Sequence, residues 1–189
     1  MYPIGSSIHA LAVASAADWL PKDGEHTRDT LAELLGVALP APLAPAPRNK
    51  GAIVFCHYAK AAYKQWPQDR WDVLRTALEQ RGERVIAETP DMTLPQLSRL
   101  IATAKCVVAV DSGPIHVADA LGVPVIGLYA ATSAVTYGPY NQRARCIDKH
   151  REASDAQGLT YSSARHLNKG HAMHLITPED VLARLYAHG

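Results

Sequence analysis

One short stretch of the sequence carries the residue types of a phosphate-binding site. The apolar run CVVAV is followed directly by Asp111, Ser112 and Gly113 and, one helical turn later, by His116. Glycine permits close approach to the backbone, and the amides and dipole at a helix N-terminus favour an anion. His116 can donate a hydrogen bond to that anion, whereas Asp111 is expected to shape the loop by accepting hydrogen bonds from amides or a neighbouring hydroxyl.

Each of these residues also has a purely structural interpretation. Ser112 could cap the helix, Asp111 could end the strand, and His116 could be an ordinary helix residue bonded to a nearby carbonyl. The residues alone leave both interpretations open.

A second segment, HYAKAAYKQWPQDRW, supplies cations after another apolar run. Lys60 and Lys64 can reach the carboxyl edge of the predicted sheet, and a lysine is a suitable flexible charge for a diphosphate. The alternative is that these lysines and Arg70 are solvated. Trp66 and Trp71 are interpreted as packing anchors. Lys64 is assigned to the anion site, because that site otherwise lacks positive charge.

Glu88 and Met92, at and beyond the end of the next predicted strand, are candidates for contacts to a nucleoside. Glu88 ends ERVIAE and could accept hydrogen bonds from a ribose hydroxyl pair, with a plain surface position as the alternative. Met92 stands just before the next helix with Thr93 and Leu94, where it could line an adenine slot. For Leu94 a place in the core is the competing interpretation.

These residues lie at the ends of elements that alternate along the chain. Short apolar runs separated by amphipathic helices predict an α/β fold, a Rossmann-like doubly wound parallel sheet with right-handed crossovers. Strands are predicted at GAIVFCHY, ERVIAET, CVVAVDS and VPVIGLYA, and helices at residues 67–81, TLPQLSRLIATA, PIHVADALG and TPEDVLARLYAHG. Ligands bind at the carboxyl ends of such strands, so the candidate residues should share one edge. Residues 132–170 are predicted to be polar and irregular.

The chain has 189 residues, 48% of them hydrophobic, which is enough to bury a core. Residues 1–50 are predicted to form an N-terminal helical segment, best in HTRDTLAELLG, and a proline-rich linker, together a remnant or strap. Residues 51–189 are predicted to form the Rossmann-like domain. The absence of GxGxxG and GxxxxGK[ST] argues against dinucleotide oxidoreductases and P-loop enzymes.

Charge and cysteine content exclude further classes of function. A net charge of +1 provides no general attraction to nucleic acid or to an anionic membrane. Three isolated cysteines and scattered histidines fit neither a disulfide framework nor a zinc site, so no metal is expected. The apolar runs are too short to span a membrane, and the N-terminus lacks the basic residues of a signal peptide. A cytoplasmic location is expected, and peripheral association at the inner face of the inner membrane stays open.

Three segments resemble glycosyltransferase family 9, which includes the lipopolysaccharide heptosyltransferases. VVAVDSGPIHVADALGVPVIGLYAATSAVTYGPY is similar to the family's D-[ST]-G-x-x-H-x-A-x-A-L-x-x-P stretch. YKQWPQDRWDVL is similar to its K-x-W-P-x-x-x-W-x-x-L segment, and HLITPEDVLARL to its closing helix. The three segments occur in the family's order and cover the chain from about residue 51 to the C-terminus.

The resemblance implies the C-terminal, donor-binding half of a GT-B glycosyltransferase. It implies that an ADP-sugar such as ADP-heptose is the donor substrate, without a cofactor or required metal. Ser112 and Gly113 would hold the diphosphate, with Lys64 and His116 stabilising the leaving group. The sugar would pass with inversion to a hydroxyl of the lipopolysaccharide core or another glycan or lipid-linked glycan acceptor.

The resemblance leaves the catalytic base unassigned. In the family the base belongs to the acceptor domain, and none of the early acids has a recognisable counterpart: Asp18, Asp23, Glu25 and Asp29. The family's Gly-Pro-Thr after the fourth strand is here Ala130-Ala131-Thr132. The expected partners are therefore the donor, the acceptor, and either a chain supplying the acceptor domain or a second copy. The alternative function is a catalytically incomplete nucleotide-sugar-binding module.

Overall fold

A five-stranded parallel sheet forms the centre of the molecule. The structure is a computed structural model that describes residues 26–36, 51–159 and 169–187. The strands are β1 (Ile53–Cys56), β2 (Val85–Ala87), β3 (Cys106–Val110), β4 (Val125–Tyr129) and β5 (Ile147–Asp148). They are ordered β2-β1-β3-β4-β5, and every neighbouring pair is parallel. The prediction of a Rossmann-like α/β sheet is confirmed.

One described helix precedes the strands, and the others connect the strands or follow the last one. The α-helices are α1 (Thr27–Leu35), α2 (Gln68–Glu79), α3 (Leu94–Ala102), α4 (Gly113–Ala120), α5 (Ala134–Tyr137), α6 (His150–Asp155) and α7 (Pro178–Tyr186). Short 3₁₀ helices span Ala62–Lys64, Arg143–Arg145 and Lys169–Leu175. Capping boxes start α3 and α7, from Thr93 with Gln96 and from Thr177 with Asp180. No helix among the described residues is long and apolar enough to cross a membrane.

Helices cover both faces of the sheet. Phe55 points to the face where it packs with Leu74 of α2, whereas its neighbour Val54 points to the face occupied by Ile101 of α3 and Ile115 of α4. All residues of β1, β3 and β4 are buried. Burial on both faces is why these strands are continuous apolar runs without alternation.

The segment predicted to be irregular is partly regular, and that prediction is wrong for residues 134–155. This stretch contains α5, β5 and α6. The side chain of Gln142 accepts a hydrogen bond from the amide of Val125 and donates one to the carbonyl of Val123, which ties the segment to the sheet. A strand of two residues is too short for any period-two pattern to be detected.

The predicted N-terminal helix is confirmed as α1, and it contacts the main domain. His26 Nε2 lies 2.8 Å from the carbonyl oxygen of Gly138, and the Thr27 hydroxyl donates to the carbonyl of Thr136 over 2.9 Å. The division of the chain at residue 50 stays a prediction, because the proline-rich segment lies outside the described residues.

Candidate functional site

The strand order puts the switch point of the sheet between the carboxyl ends of β1 and β3. These strands are neighbours, but the chain runs from β1 to the outer strand β2 before it returns to β3 on the other side of β1. At such a switch point the two loops diverge to opposite faces, which is where open parallel sheets bind ligands. The loop after β1 begins at His57, and the loop after β3 begins at Asp111.

The carboxylate of Asp111, which follows β3, contacts side chains from the loops after β1 and β4. Lys64 Nζ, from the loop after β1, lies 2.5 Å from Asp111 Oδ2. The Thr132 hydroxyl, from the loop after β4, donates to the same oxygen over 2.7 Å. The Asp111 side chain is only 9% exposed and that of Lys64 is 24% exposed. Lys64 carries three donors, so the contact with Asp111 fixes the ammonium group without exhausting its hydrogen-bonding capacity.

The start of α4 adjoins this ion pair and is open to a ligand. Ser112 precedes the helix in an extended conformation, and its hydroxyl donates to the carbonyl of Val110 over 3.1 Å. No side chain among the described residues caps the first turn of α4. A Cβ at Gly113 would meet no heavy atom within 4 Å. The first-turn amides therefore face space into which a phosphate can enter.

His116 projects from the first turn of α4 and is exposed. Partial desolvation by the surrounding protein lowers the pKa of His116, and electrostatic interactions with His26 and Lys64 lower it further. Asp111 and Asp119 act in the opposite direction. The imidazole is consequently neutral near neutral pH in the free protein and can donate one hydrogen bond.

The remaining predicted residues lie at the same edge of the sheet. Lys60 is exposed in the loop that carries Lys64, and Met92 is half-buried in the turn after β2. Glu88 is buried, and its Oε1 accepts a hydrogen bond from the amide of Tyr58 over 2.8 Å. Burial raises the pKa of Glu88. The ligand contacts assigned to these residues stay predictions.

The Thr132 hydroxyl contacts Asp111, although no motif in the sequence singles this threonine out. It stands 21 residues after Asp111, and its loop was noted only for departing from the family pattern. The available signal was its position, since it follows β4 at the edge that holds the other candidates.

A second concavity, of about 840 Å³, lies beside the edge strand β5 and is lined by charged side chains including Asp148 and Asp180. Asp148 accepts hydrogen bonds from the Ser133 hydroxyl and from the amides of Ala134 and His150. Asp180 belongs to the capping box of α7. Because these carboxylates already hold the local structure, the switch point between β1 and β3 is the better candidate site. No described group of three or more His, Cys, Asp or Glu side chains could hold a metal ion.

Fold and site together define a doubly wound α/β protein with a candidate anion site at its switch point. The chain belongs to glycosyltransferase family 9 (heptosyltransferase), whose family model matches residues 22–87 and 84–164.

Curated relatives and a solved structure agree with this assignment. Lipopolysaccharide heptosyltransferase 1 of Pseudomonas aeruginosa is 27% identical over 172 residues, covering 74% of this chain and 48% of the relative. The protein of the same name from Escherichia coli K12 is 29% identical over 161 residues, and the match covers 68% of this chain and 50% of the relative. The structure of the E. coli heptosyltransferase WaaC with ADP matches with a TM-score of 0.58 and 22% identity, over 86% of this chain and 55% of that one. The chain spans about half the length of the curated relatives it matches.

Proposed function

We propose that this chain is the donor-binding half of a heptosyltransferase-type glycosyltransferase and binds ADP-heptose or a similar ADP-sugar. The observation that carries the proposal is the Lys64–Asp111 pair at the switch point, beside the uncapped start of α4. A diphosphate placed there would meet an ammonium group, backbone amides and a helix dipole of favourable sign. Membership of the family supports the choice of a nucleotide sugar over other anions.

The proposed reaction is an inverting displacement at the anomeric carbon of the donor sugar. The acceptor hydroxyl oxygen forms the new bond to that carbon, the bond to the phosphate oxygen breaks, and ADP departs. A base takes the proton of the acceptor hydroxyl. Lys64 and the start of α4 stabilise the negative charge that grows on the departing diphosphate, and His116 adds a hydrogen bond. The acceptor is a hydroxyl of the lipopolysaccharide core or of another glycan.

The base is not assigned within this chain. Asp29, the early acid that lies in a described element, is exposed on α1 and hydrogen-bonds to Tyr140. We therefore expect transfer to need an acceptor-binding half, from a partner chain or a second copy. No cofactor or metal is part of the proposal. The proposed location is the cytoplasm, and peripheral association at the inner face of the inner membrane stays open.

A second candidate function is a nucleotide-sugar-binding module without transferase activity. The match covers about half of each curated relative, and no base is assigned among the residues of this chain, which is compatible with binding without transfer. Both functions require nucleotide binding, and they differ in turnover.

Calorimetric titration with ADP, ADP-heptose, UDP and GDP tests the shared requirement. We expect ADP and ADP-heptose to bind more tightly than UDP and GDP. Binding of none of them would contradict both functions. Release of ADP from ADP-heptose, when acceptor glycan and an acceptor-binding half are added, supports the transferase. Tight binding with no release under those conditions supports the module.

A further inference from the structure

Glu88 is a buried acid at the end of β2 whose hydrogen bonds point to the neighbouring strand. Its amide donates to the carbonyl of Phe55 over 2.9 Å, which extends the β1–β2 pairing by one residue. Its Oε1 accepts from the amide of Tyr58 over 2.8 Å. Burial raises the pKa of Glu88, and interactions with Tyr58, Cys56 and His57 oppose that rise. The Glu88 carboxylate therefore holds the amide of Tyr58, the second residue after β1.

Tyr58 lies near the start of the loop that carries Lys64. The far end of that loop is anchored separately, because the indole of Trp66 donates to the carbonyl of Ile176 over 3.0 Å. Between the two anchors, the Gln65 side chain donates to the carbonyl of Ala59 over 3.1 Å. The path of the loop, and with it the place of the Lys64 ammonium group, depends on both ends.

We propose that Glu88 is a positioning residue for the diphosphate-binding lysine. Its carboxylate fixes the first residues of the loop after β1, so that Lys64 stands at Asp111 with its remaining donors directed to the ligand. This inference rests on the proposed function, since it specifies how the same site holds its anion. It gives Glu88 a role that does not require the nucleoside part of the ligand.

The competing role for Glu88 is direct contact with the ribose. The Glu88 residue is only 7% exposed. Its Oε1 already accepts the Tyr58 amide, and burial leaves little of the carboxylate open to a ribose hydroxyl. Inorganic diphosphate separates the two roles, because it contains no ribose but needs Lys64 as much as ADP does.

The test is Glu88→Gln, which keeps the size of the side chain but removes the negative charge that strengthens the hydrogen bond from the Tyr58 amide. We expect calorimetric titration to give the same loss of affinity for ADP and for inorganic diphosphate, about tenfold for one lost charged hydrogen bond. Combined with Lys64→Ala, the substitution should cause almost no additional loss for diphosphate, since its effect passes through Lys64.

Glu83→Gln is the matched control, because Glu83 precedes β2 at the opposite edge and pairs with Lys105. It should leave both affinities unchanged. Loss of affinity for ADP alone would overturn the proposal in favour of a ribose contact. Equal losses in the presence and absence of Lys64 would show a general structural effect and would also overturn it. If Glu88→Gln does not fold, Glu88→Asp, whose carboxylate is one methylene too short to reach the loop, undergoes the same cycle. Failure of the unsubstituted chain to bind ADP would instead contradict the proposed function.

Discussion

The two edges of the sheet carry similar ion pairs and differ in what surrounds them. At the carboxyl edge, Lys64 follows β1 and lies 2.5 Å from Asp111, which follows β3. At the amino edge, Lys105 precedes β3 and lies 2.6 Å from Glu83, which precedes β2. Both pairs bring together residues from different strand ends, and both leave the lysine partly exposed.

The helices give the two edges opposite polarity. The carboxyl-edge pair adjoins the start of α4, where amides and the positive end of the helix dipole attract anions. The amino-edge pair lines a small cavity of about 80 Å³ with Tyr186, the last residue of α7, where the dipole is negative. In addition, both oxygens of Glu83 contact Lys105, at 2.6 and 2.7 Å. Strand order and helix direction, rather than the ion pair itself, make the carboxyl edge the better candidate for the ligand site.

The largest expected effect tests this contrast directly. Lys64→Ala should weaken ADP binding about tenfold to a hundredfold, because a hydrogen bond to a charged group contributes about 1.5–3 kcal/mol. Lys105→Ala, its counterpart at the amino edge, should change the ADP affinity by less than about twofold and stability by at most about 1 kcal/mol. Calorimetric titration and thermal unfolding measure the two quantities. Equal losses of affinity in both variants would remove the distinction between the edges.

Substitutions at Gly113 and Gly82 test whether the open space at the start of α4 is needed for ADP binding. Gly113→Ala should leave stability unchanged, because the added Cβ meets no heavy atom within 4 Å, yet it fills the space in front of α4. We expect ADP affinity to fall about tenfold, since forcing a methyl group into a close contact costs about 1–3 kcal/mol.

Gly82 provides the matched control, because it follows the C-terminal end of α2 and lies away from the start of α4. Its φ is +77°, a conformation that costs a residue with a Cβ about 1–2 kcal/mol. Gly82→Ala should therefore lower the unfolding temperature and leave ADP affinity unchanged. If the Gly113→Ala variant binds ADP normally, the phosphates do not bind at the start of α4.

The sequence predicted the elements that long apolar runs define, and it placed the candidate residues at one edge. It could not predict contacts that depend on two loops at once. Lys64 and Asp111 were both candidates, but their ion pair follows from the strand order, in which β1 and β3 are neighbours. Thr132 was missed for the same reason, as its hydroxyl reaches Asp111 from the loop after β4. β5 escaped prediction because two residues carry no periodic signal.

A smaller effect on ADP affinity is expected from Thr132, whose hydroxyl donates to the Asp111 carboxylate of the Lys64–Asp111 pair. Thr132→Val keeps the shape of the side chain but removes the hydroxyl that donates to Asp111. ADP affinity should fall about fivefold, since one neutral-to-charged hydrogen bond that only orients Asp111 is worth about 1 kcal/mol. Ser133→Ala is the neighbouring control, because the Ser133 hydroxyl bonds to Asp148 and caps α5. That variant should lose stability but retain its ADP affinity, and the reverse pattern would contradict the role of Thr132.

The smallest expected effect is a dependence on pH that only the carboxyl edge can produce. Desolvation has the largest effect on the pKa of His116 and lowers it. Interactions with His26 and Lys64 also lower this pKa, whereas Asp111 and Asp119 raise it. A bound diphosphate raises that pKa, so the complex holds more protons than the free protein, and affinity must rise as the pH falls. The ratio of ADP affinities between the unsubstituted chain and His116→Gln should therefore grow about twofold to threefold from about pH 8 to about pH 6. Protonation of ADP itself cancels in this ratio. A ratio that stays constant would mean that His116 does not face the phosphates.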